Sequence, residues 1–361
     1  MSDFDQYVGT RTVSEQHLFD TDVLQAWLER HLDGYQGPLT VEMFKGGQSN
    51  PTYKLITPAR SYVMRAKPGP VAKLLPSAHA VEREFAVMRG LQGTGVPVPQ
   101  MYCLCEDESV IGRAFYIMEC MQGRVLWDQS LPGMTQAGRA DIYDEMNRVI
   151  SALHTVDFRQ QGLAGYGKPG NYVERQIGRW SKQYLASVTQ QIDDMDRLIA
   201  WLPVNIPDSA RDESKTSIVH GDYRLDNLMF HGTEPRAVAV LDWELSTLGH
   251  PLADFSYHCM AWHIPPGAFR GIGGLDIASL GIPGEDRYIE LYCERTGLAT
   301  PQDLRRDWSF YMAYNMFRIA AILQGIAKRI ETGTASSAQA EQSARGVVPM
   351  ACMAWQFAQR A

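Results

Sequence analysis

The chain has 361 residues, 45% of them hydrophobic, and a formal net charge of −7. That length allows about two or three structural units with an ample core. The acidic balance argues against general nucleic-acid binding and provides no basic membrane patch, and no apolar stretch approaches a membrane span. The first residues, Met1-Ser2-Asp3-Phe4-Asp5-Gln6, lack the basic and apolar regions of a signal peptide. Cysteines stand at 103, 105, 120, 259, 293 and 352, without C-x-x-C spacing, so free, reduced thiols in a cytoplasmic protein are expected and no metal is assigned to them.

Residues 1–19 are polar and of open order. Thr21 to Leu32 has the pattern of an amphipathic helix capped at Asp20 or Thr21. Strands are expected at Thr40–Phe44 and Thr52–Ile56, enclosing Lys45-Gly46-Gly47-Gln48-Ser49-Asn50. Paired glycines let backbone amides approach a phosphate, and Ser49 and Asn50 add donors; the same residues also read as an ordinary hairpin turn. Ser61 to Lys67 alternates as a third strand carrying two cations, Arg65 and Lys67. A helix from Ser77, its N-cap, to Gln92 places Val81, Phe85, Met88 and Leu91 on one face and Glu84 within reach of a strand cation. The plain alternative is a surface ion pair worth under about 1 kcal/mol. Ala114 to Gly123 reads as a buried strand running into a glycine.

Beyond it the pattern turns helical, over Thr135–Thr155 and Tyr172–Leu202, and 190–211 drifts into a polar linker. Strands then bracket His220-Gly221-Asp222-Tyr223-Arg224-Leu225-Asp226-Asn227: Ser217–His220 enters it, Leu228–Phe230 leaves it, and the apolar run Ala237–Leu241 ends on Asp242. This order suits phosphoryl transfer. One carboxylate orients and deprotonates a hydroxyl, while an amide oxygen and a second carboxylate hold magnesium against phosphates. The competing reading makes Asp226-Asn227 a turn and Asp242 a strand-end cap. Arg224 fits either a contact to the transferred group or an ion pair with Asp226 or Glu244. His220 and Asp254 read as supports of the loop, and His154 as structural. Helices are expected at Glu285–Thr296, Pro301–Thr332 and Ser336–Gln359, after a Gly/Pro-rich loop over 264–284. In the second of these Trp308, Tyr311, Tyr314 and Phe317 form a packing face. Arg318 sits in an otherwise apolar stretch, so an anionic partner is expected, either a protein carboxylate or an acidic substrate.

H-G-D-x-x-x-x-N followed by L-D-W-E resembles the aminoglycoside phosphotransferase and choline-kinase-like family of small-molecule kinases. Gly46-Gly47-Gln48-Ser49-Asn50, Val63-Met64-Arg65-Ala66-Lys67-Pro68 and the segment Tyr314 to Gly325 are similar to the branch associated with acyl-CoA dehydrogenases. The resemblance spans about residues 20–335. It implies an α+β, two-lobed protein-kinase-like fold, with a nucleotide-binding lobe at 1–118, a hinge at 119–123 and a helical lobe at 124–361 carrying the catalytic loop and acceptor site. It further implies ATP and Mg2+. Gly46, Gly47, Ser49, Asn50 and Arg65 (chosen over Lys67) would hold phosphates, with Glu84 positioning Arg65. The Glu119 carbonyl and Met121 amide would read adenine, with Met118 behind. Asn227 and Asp242 would hold magnesium, Asp222 would act as base, and Arg224 would assist. The implied reaction moves a γ-phosphoryl group to a hydroxyl of a small metabolite, a hydroxy acid or a hydroxyacyl thioester as in the dehydrogenase-fused relatives. Competing readings are an aminoglycoside or amino-alcohol kinase, a nucleotide-binding pseudokinase with a regulatory role, and a metal-dependent phosphohydrolase. Partners are a nucleotide and a small hydroxylated substrate, without nucleic acid or membrane; no protein partner is indicated.

Overall fold

The computed structural model describes residues 9–45, 50–68, 80–267, 271–333 and 338–361. Gly46, Gly47, Ser49 and Ser77 lie outside them. In chain order the elements are β1 (Thr10–Arg11), α1 (Thr21–His31), β2 (Thr40–Phe44), β3 (Thr52–Ile56), β4 (Ser61–Ala66), α2 (Val81–Leu91), β5 (Met101–Cys105), β6 (Phe115–Glu119) and β7 (Arg124–Val125). Then follow α3 (Gln136–Thr155), α4 (Tyr172–Ser187), α5 (Asp193–Trp201), α6 (Asp208–Arg211), β8 (Ser217–Val219), β9 (Leu228–Phe230), β10 (Ala237–Val240) and β11 (Thr247–Gly249). The last are α7 (Pro251–Cys259), α8 (Ile277–Leu280), α9 (Glu285–Thr296), α10 (Pro301–Glu331), α11 (Ala338–Ala344) and α12 (Val347–Ala358). The chain divides into two compact units. The first comprises Met1–Val125, Phe158–Tyr166 and Leu228–Leu245; the second comprises Leu126–Asp157, Gly167–Asn227 and Ser246–Ala361.

In the first unit an antiparallel sheet has the order β1-β2-β3-β4-β6-β5. The two-residue period of a strand sends Tyr62, Met64 and Ala66 of β4, with Phe115 and Ile117 of β6, into a common core. α1 supplies Leu24, Trp27 and Leu28 to that core, a one-face helical stripe worth roughly 1.5–3 kcal/mol per fully buried large side chain. Asp20 caps α1 by accepting the Asp22 and Val23 amides. The same period turns Arg65 and its cross-strand neighbour Tyr116 to the other face, where α2 packs. A second sheet, β10-β9-β7, carries the hairpin that follows the His220–Asn227 loop. Gly123 is required there: a Cβ would stand 2.4 Å from the Phe230 carbonyl oxygen.

The second unit is built on α10, whose Tyr311, Tyr314 and Phe317 are buried and which packs against α4, α7 and α12. Thr300 caps it and Pro301 opens it. Two long expected helices are each divided. Tyr172–Leu202 breaks after Ser187, where the Gln324 side chain donates to the Ser187 carbonyl (2.7 Å), and α5 restarts with Asp193, Asp194 and Asp196 in its favourable acidic first turn. The expected linker over 190–211 is therefore partly helical. The described part of Ser336–Gln359 forms α11 and α12, with Gly346 as the N-cap of α12. Among the described residues no helix is long and apolar enough to cross a membrane.

Candidate active site

In the first unit Arg65 is the organising cation. Its Nε lies 2.8 Å from Glu84 Oε2, and its Nη2 donates to Asp242 Oδ1 at 3.1 Å. Glu84 is buried and fully engaged, accepting also from Asn50 Nδ2 (2.7 Å) and the Tyr116 hydroxyl (3.1 Å). Burial works against the charge on Arg65, but the Glu84 carboxylate, followed by Tyr116 and Asp242, raises its pKa above the ordinary guanidinium value. Lys67 instead pairs with Glu82 at 2.9 Å. Asn50 departs from its expected place. Its side-chain nitrogen is committed to buried Glu84, so it orients that carboxylate instead of offering the nitrogen to a phosphate.

Asp242 follows β10 in the left-handed region (φ 63°), a costly conformation for a residue with a Cβ, of the kind that clusters at functional sites. Buried Trp243 fixes the turn by donating from Nε1 to the Val240 carbonyl at 2.9 Å. The Asp242 side chain remains 37% exposed, leaving a hard oxygen available. At the other end of β6, Glu119 is exposed, Met118 and Met121 are half-buried, and residues 120–123 have no regular structure.

In the second unit the His220–Asn227 loop is tied down from α7. Gly221 takes φ 81°, which explains the glycine. Asp254 accepts the amides of His220 (2.7 Å, Oδ2) and Gly221 (2.8 Å, Oδ1), and His154 lies 3.2 Å from Oδ2. Burial raises the Asp254 pKa, but His154 and the loop's contacts outweigh it and hold the carboxyl below its usual range. His220 Nδ1 accepts the Asp222 amide at 3.2 Å, a backbone-supporting role. Asn227 Nδ2 donates to the Asp222 carbonyl (2.8 Å) and to Asp222 Oδ2 (3.0 Å). Arg224 places Nε 3.1 Å from Asp222 Oδ1 and Nη2 3.3 Å from Asp226 Oδ2.

Of the two partners expected for Arg318, a protein carboxylate or an acidic substrate, the structure corrects the first. Among the described residues no carboxylate pairs with Arg318. Its Nη2 donates to the Gly221 carbonyl at 2.6 Å, and its guanidinium lies 5.0 Å from the Tyr257 ring centroid and 5.5 Å from that of Trp180. Tyr257 is the residue that sequence reasoning missed: its hydroxyl donates to Asp222 Oδ1 at 2.5 Å. The available signal was its position three residues after Asp254, on the same face of one helix.

An antiparallel sheet bearing an Arg–Glu pair, with an Asp–Asn loop in a helical unit, defines a kinase-like phosphotransferase. Residues 40–291 match the family described as Phosphotransferase enzyme family, and the chain belongs to it. It is 46% identical over 353 residues to acyl-CoA dehydrogenase family member 10 of Mus musculus, covering 97% of this chain but 32% of that protein. The chain thus spans about a third of that relative's length. A solved structure of a candidate aminoglycoside phosphotransferase from Ralstonia eutropha JMP134 is 62% identical, with a TM-score of 0.88, covering 95% of this chain and 99% of that one. The fold is also that of aminoglycoside phosphotransferase APH(4)-Ia, solved with AMP-PNP and hygromycin B (TM-score 0.58, 16% identity, 93% and 99% coverage).

Proposed function

We propose that this phosphotransferase moves the γ-phosphoryl group of ATP to a hydroxyl of a small metabolite with the help of Mg2+. The observation that carries the reading is Asp222, half-buried and oriented by donors on both carboxylate oxygens. Asp222 accepts the acceptor's hydroxyl proton as the new oxygen–phosphorus bond forms and the bond to the β,γ-bridging oxygen breaks, releasing ADP. Arg65, held by Glu84, faces the phosphates together with Gly46, Gly47 and Ser49. Arg224 steadies Asp222 and stands near the transferred group. Residues 119–123 serve as the hinge, where the Glu119 carbonyl and Met121 amide meet adenine. Most of the acceleration comes from positioning and charge compensation.

The donor set fits magnesium. Asn227 commits its nitrogen to Asp222, so its amide oxygen is the atom it would offer a cation, and Asp242 would offer its exposed carboxylate. Magnesium keeps waters and phosphate oxygens as ligands, so two protein oxygens would suffice. When bound, such an ion neutralises phosphate charge.

For the acceptor we propose a hydroxy acid or hydroxyacyl thioester. The matched mouse relative is named for an acyl-CoA dehydrogenase, a setting in which acyl thioesters are at hand. The Arg318 guanidinium, tied to the carbonyl of Gly221 beside Asp222, also disfavours a cationic acceptor. A cytoplasmic setting suits such an activity. Magnesium titration of fluorescent-ATP binding tests the metal assignment. Asp242→Ala should abolish transfer and weaken Mg2+-dependent binding, and Asn227→Ala should weaken it less; unchanged Mg2+ affinity in both variants moves the metal elsewhere.

A further inference from the structure

We propose that Tyr257 is a positioning residue for phosphotransfer, holding the Asp222 carboxylate in its working orientation. The proposal rests on the reading of Asp222 as the base and adds to it. An aspartate's terminal torsion is soft, so a loop backbone alone leaves the carboxylate free to turn. Here its two oxygens are fixed by donors from separate elements: Oδ1 by the Tyr257 hydroxyl on α7, Oδ2 by Asn227. Arg224 also lies against both oxygens, its Nε 3.1 Å from Oδ1 and its Nη2 3.4 Å from Oδ2, so among the carboxylate's roughly four acceptor sites an acceptor hydroxyl takes the place of an arginine contact and leaves the Tyr257 and Asn227 donors in position.

Tyr257 is itself held. Arg318 lies against its ring and, through Nη2, binds the Gly221 carbonyl, so one guanidinium ties the tyrosine to the residue preceding Asp222. Asp254, three residues earlier on the same helix, fixes the His220 and Gly221 amides. α7 thus sets the loop backbone through Asp254 and the reacting side chain through Tyr257. Burial, followed by the nearby Asp222 charge, keeps the phenol protonated above its ordinary range, so it remains a donor at neutral pH.

Two measurements on the full chain test this. The first uses 13Cζ-tyrosine labelling. The resonance lost in Tyr257→Phe identifies Tyr257, and it should shift in Asp222→Asn; an unmoved resonance overturns the proposal. The second follows hydrolysis of MgATP, with water as the acceptor. Tyr257→Phe keeps the ring against Arg318 and should lower kcat by about 10–100-fold, the scale of a misplaced reacting group, with KM for ATP and the melting temperature unchanged. In an Asp222→Asn background the same change should cost nothing further. An equal loss in both backgrounds, or wild-type kcat in Tyr257→Phe, overturns it. If Asp222→Asn alone hydrolyses ATP like the wild type, the base assignment fails instead, and the tyrosine resonance still reports whether the contact exists.

Discussion

At Arg318 the chain buries a guanidinium that, among the described residues, pairs with no carboxylate and rests on one carbonyl and two aromatic faces. A charged hydrogen bond of this kind contributes about 1.5–3 kcal/mol, and a desolvated cation–π contact adds to it. Arg318→Leu should therefore lower unfolding stability by about 2–4 kcal/mol and slow turnover, because the Gly221 carbonyl beside Asp222 loses its donor. Urea denaturation checks this, and an unchanged midpoint would contradict it. The sequence made Arg318 conspicuous, an isolated cation in an apolar helix, but not its partner. A backbone carbonyl has no signature in a residue pattern, so the partners expected from the sequence were a protein carboxylate or an acidic substrate. Asn50 misled for a related reason: its place in the glycine hairpin suggested phosphate, whereas the fold turns its amide onto Glu84.

Elements with local causes were legible. β2, β3 and β9 match the alternating or apolar runs from which they were expected, and α9 matches its periodic segment. The divided helix was not, because Gln324, far along the chain, meets the Ser187 carbonyl at the break. The site shows the same contrast: fixed spacing announces Asp222, Asn227 and Asp242, while Tyr257 reaches Asp222 only through folding. α7 concentrates this support and also carries buried His258, whose pKa burial lowers to about 4; His250, just before α7, is likewise lowered to about 4. An unfolded histidine titrates near 6.5. Between these values the unfolded chain binds more protons, so stability falls as pH falls from about 6.5 towards 4, by up to about 3 kcal/mol per histidine. Asp254 acts at lower pH, its contribution being lost as pH falls through its depressed folded value. Urea midpoints measured from pH 7 to 4.5 should decline, and more gently in a His250→Gln, His258→Gln double variant. A flat wild-type profile would contradict this.

At the scale of the molecule, each unit holds its own set of the proposed functional residues. The first holds Arg65, Glu84 and Asp242 in one ion-pair chain; the second holds Asp222 between Tyr257 and Asn227. This distribution follows the chain only loosely, since β9 and β10 come after the catalytic motif yet belong to the first unit. In the proposed function Asp222 serves phosphoryl transfer from ATP to a hydroxyl. Its most direct test is 31P NMR of MgATP mixed with hydroxy acids and hydroxyacyl thioesters, comparing wild type with Asp222→Asn. The account predicts ADP and a phosphomonoester in equal amounts from the wild type. It predicts transfer about 10²–10⁴-fold slower in the variant, the range for a lost general base, with ATP binding retained. Absence of a phosphomonoester with every hydroxyl compound, or equal rates in the two proteins, would contradict it.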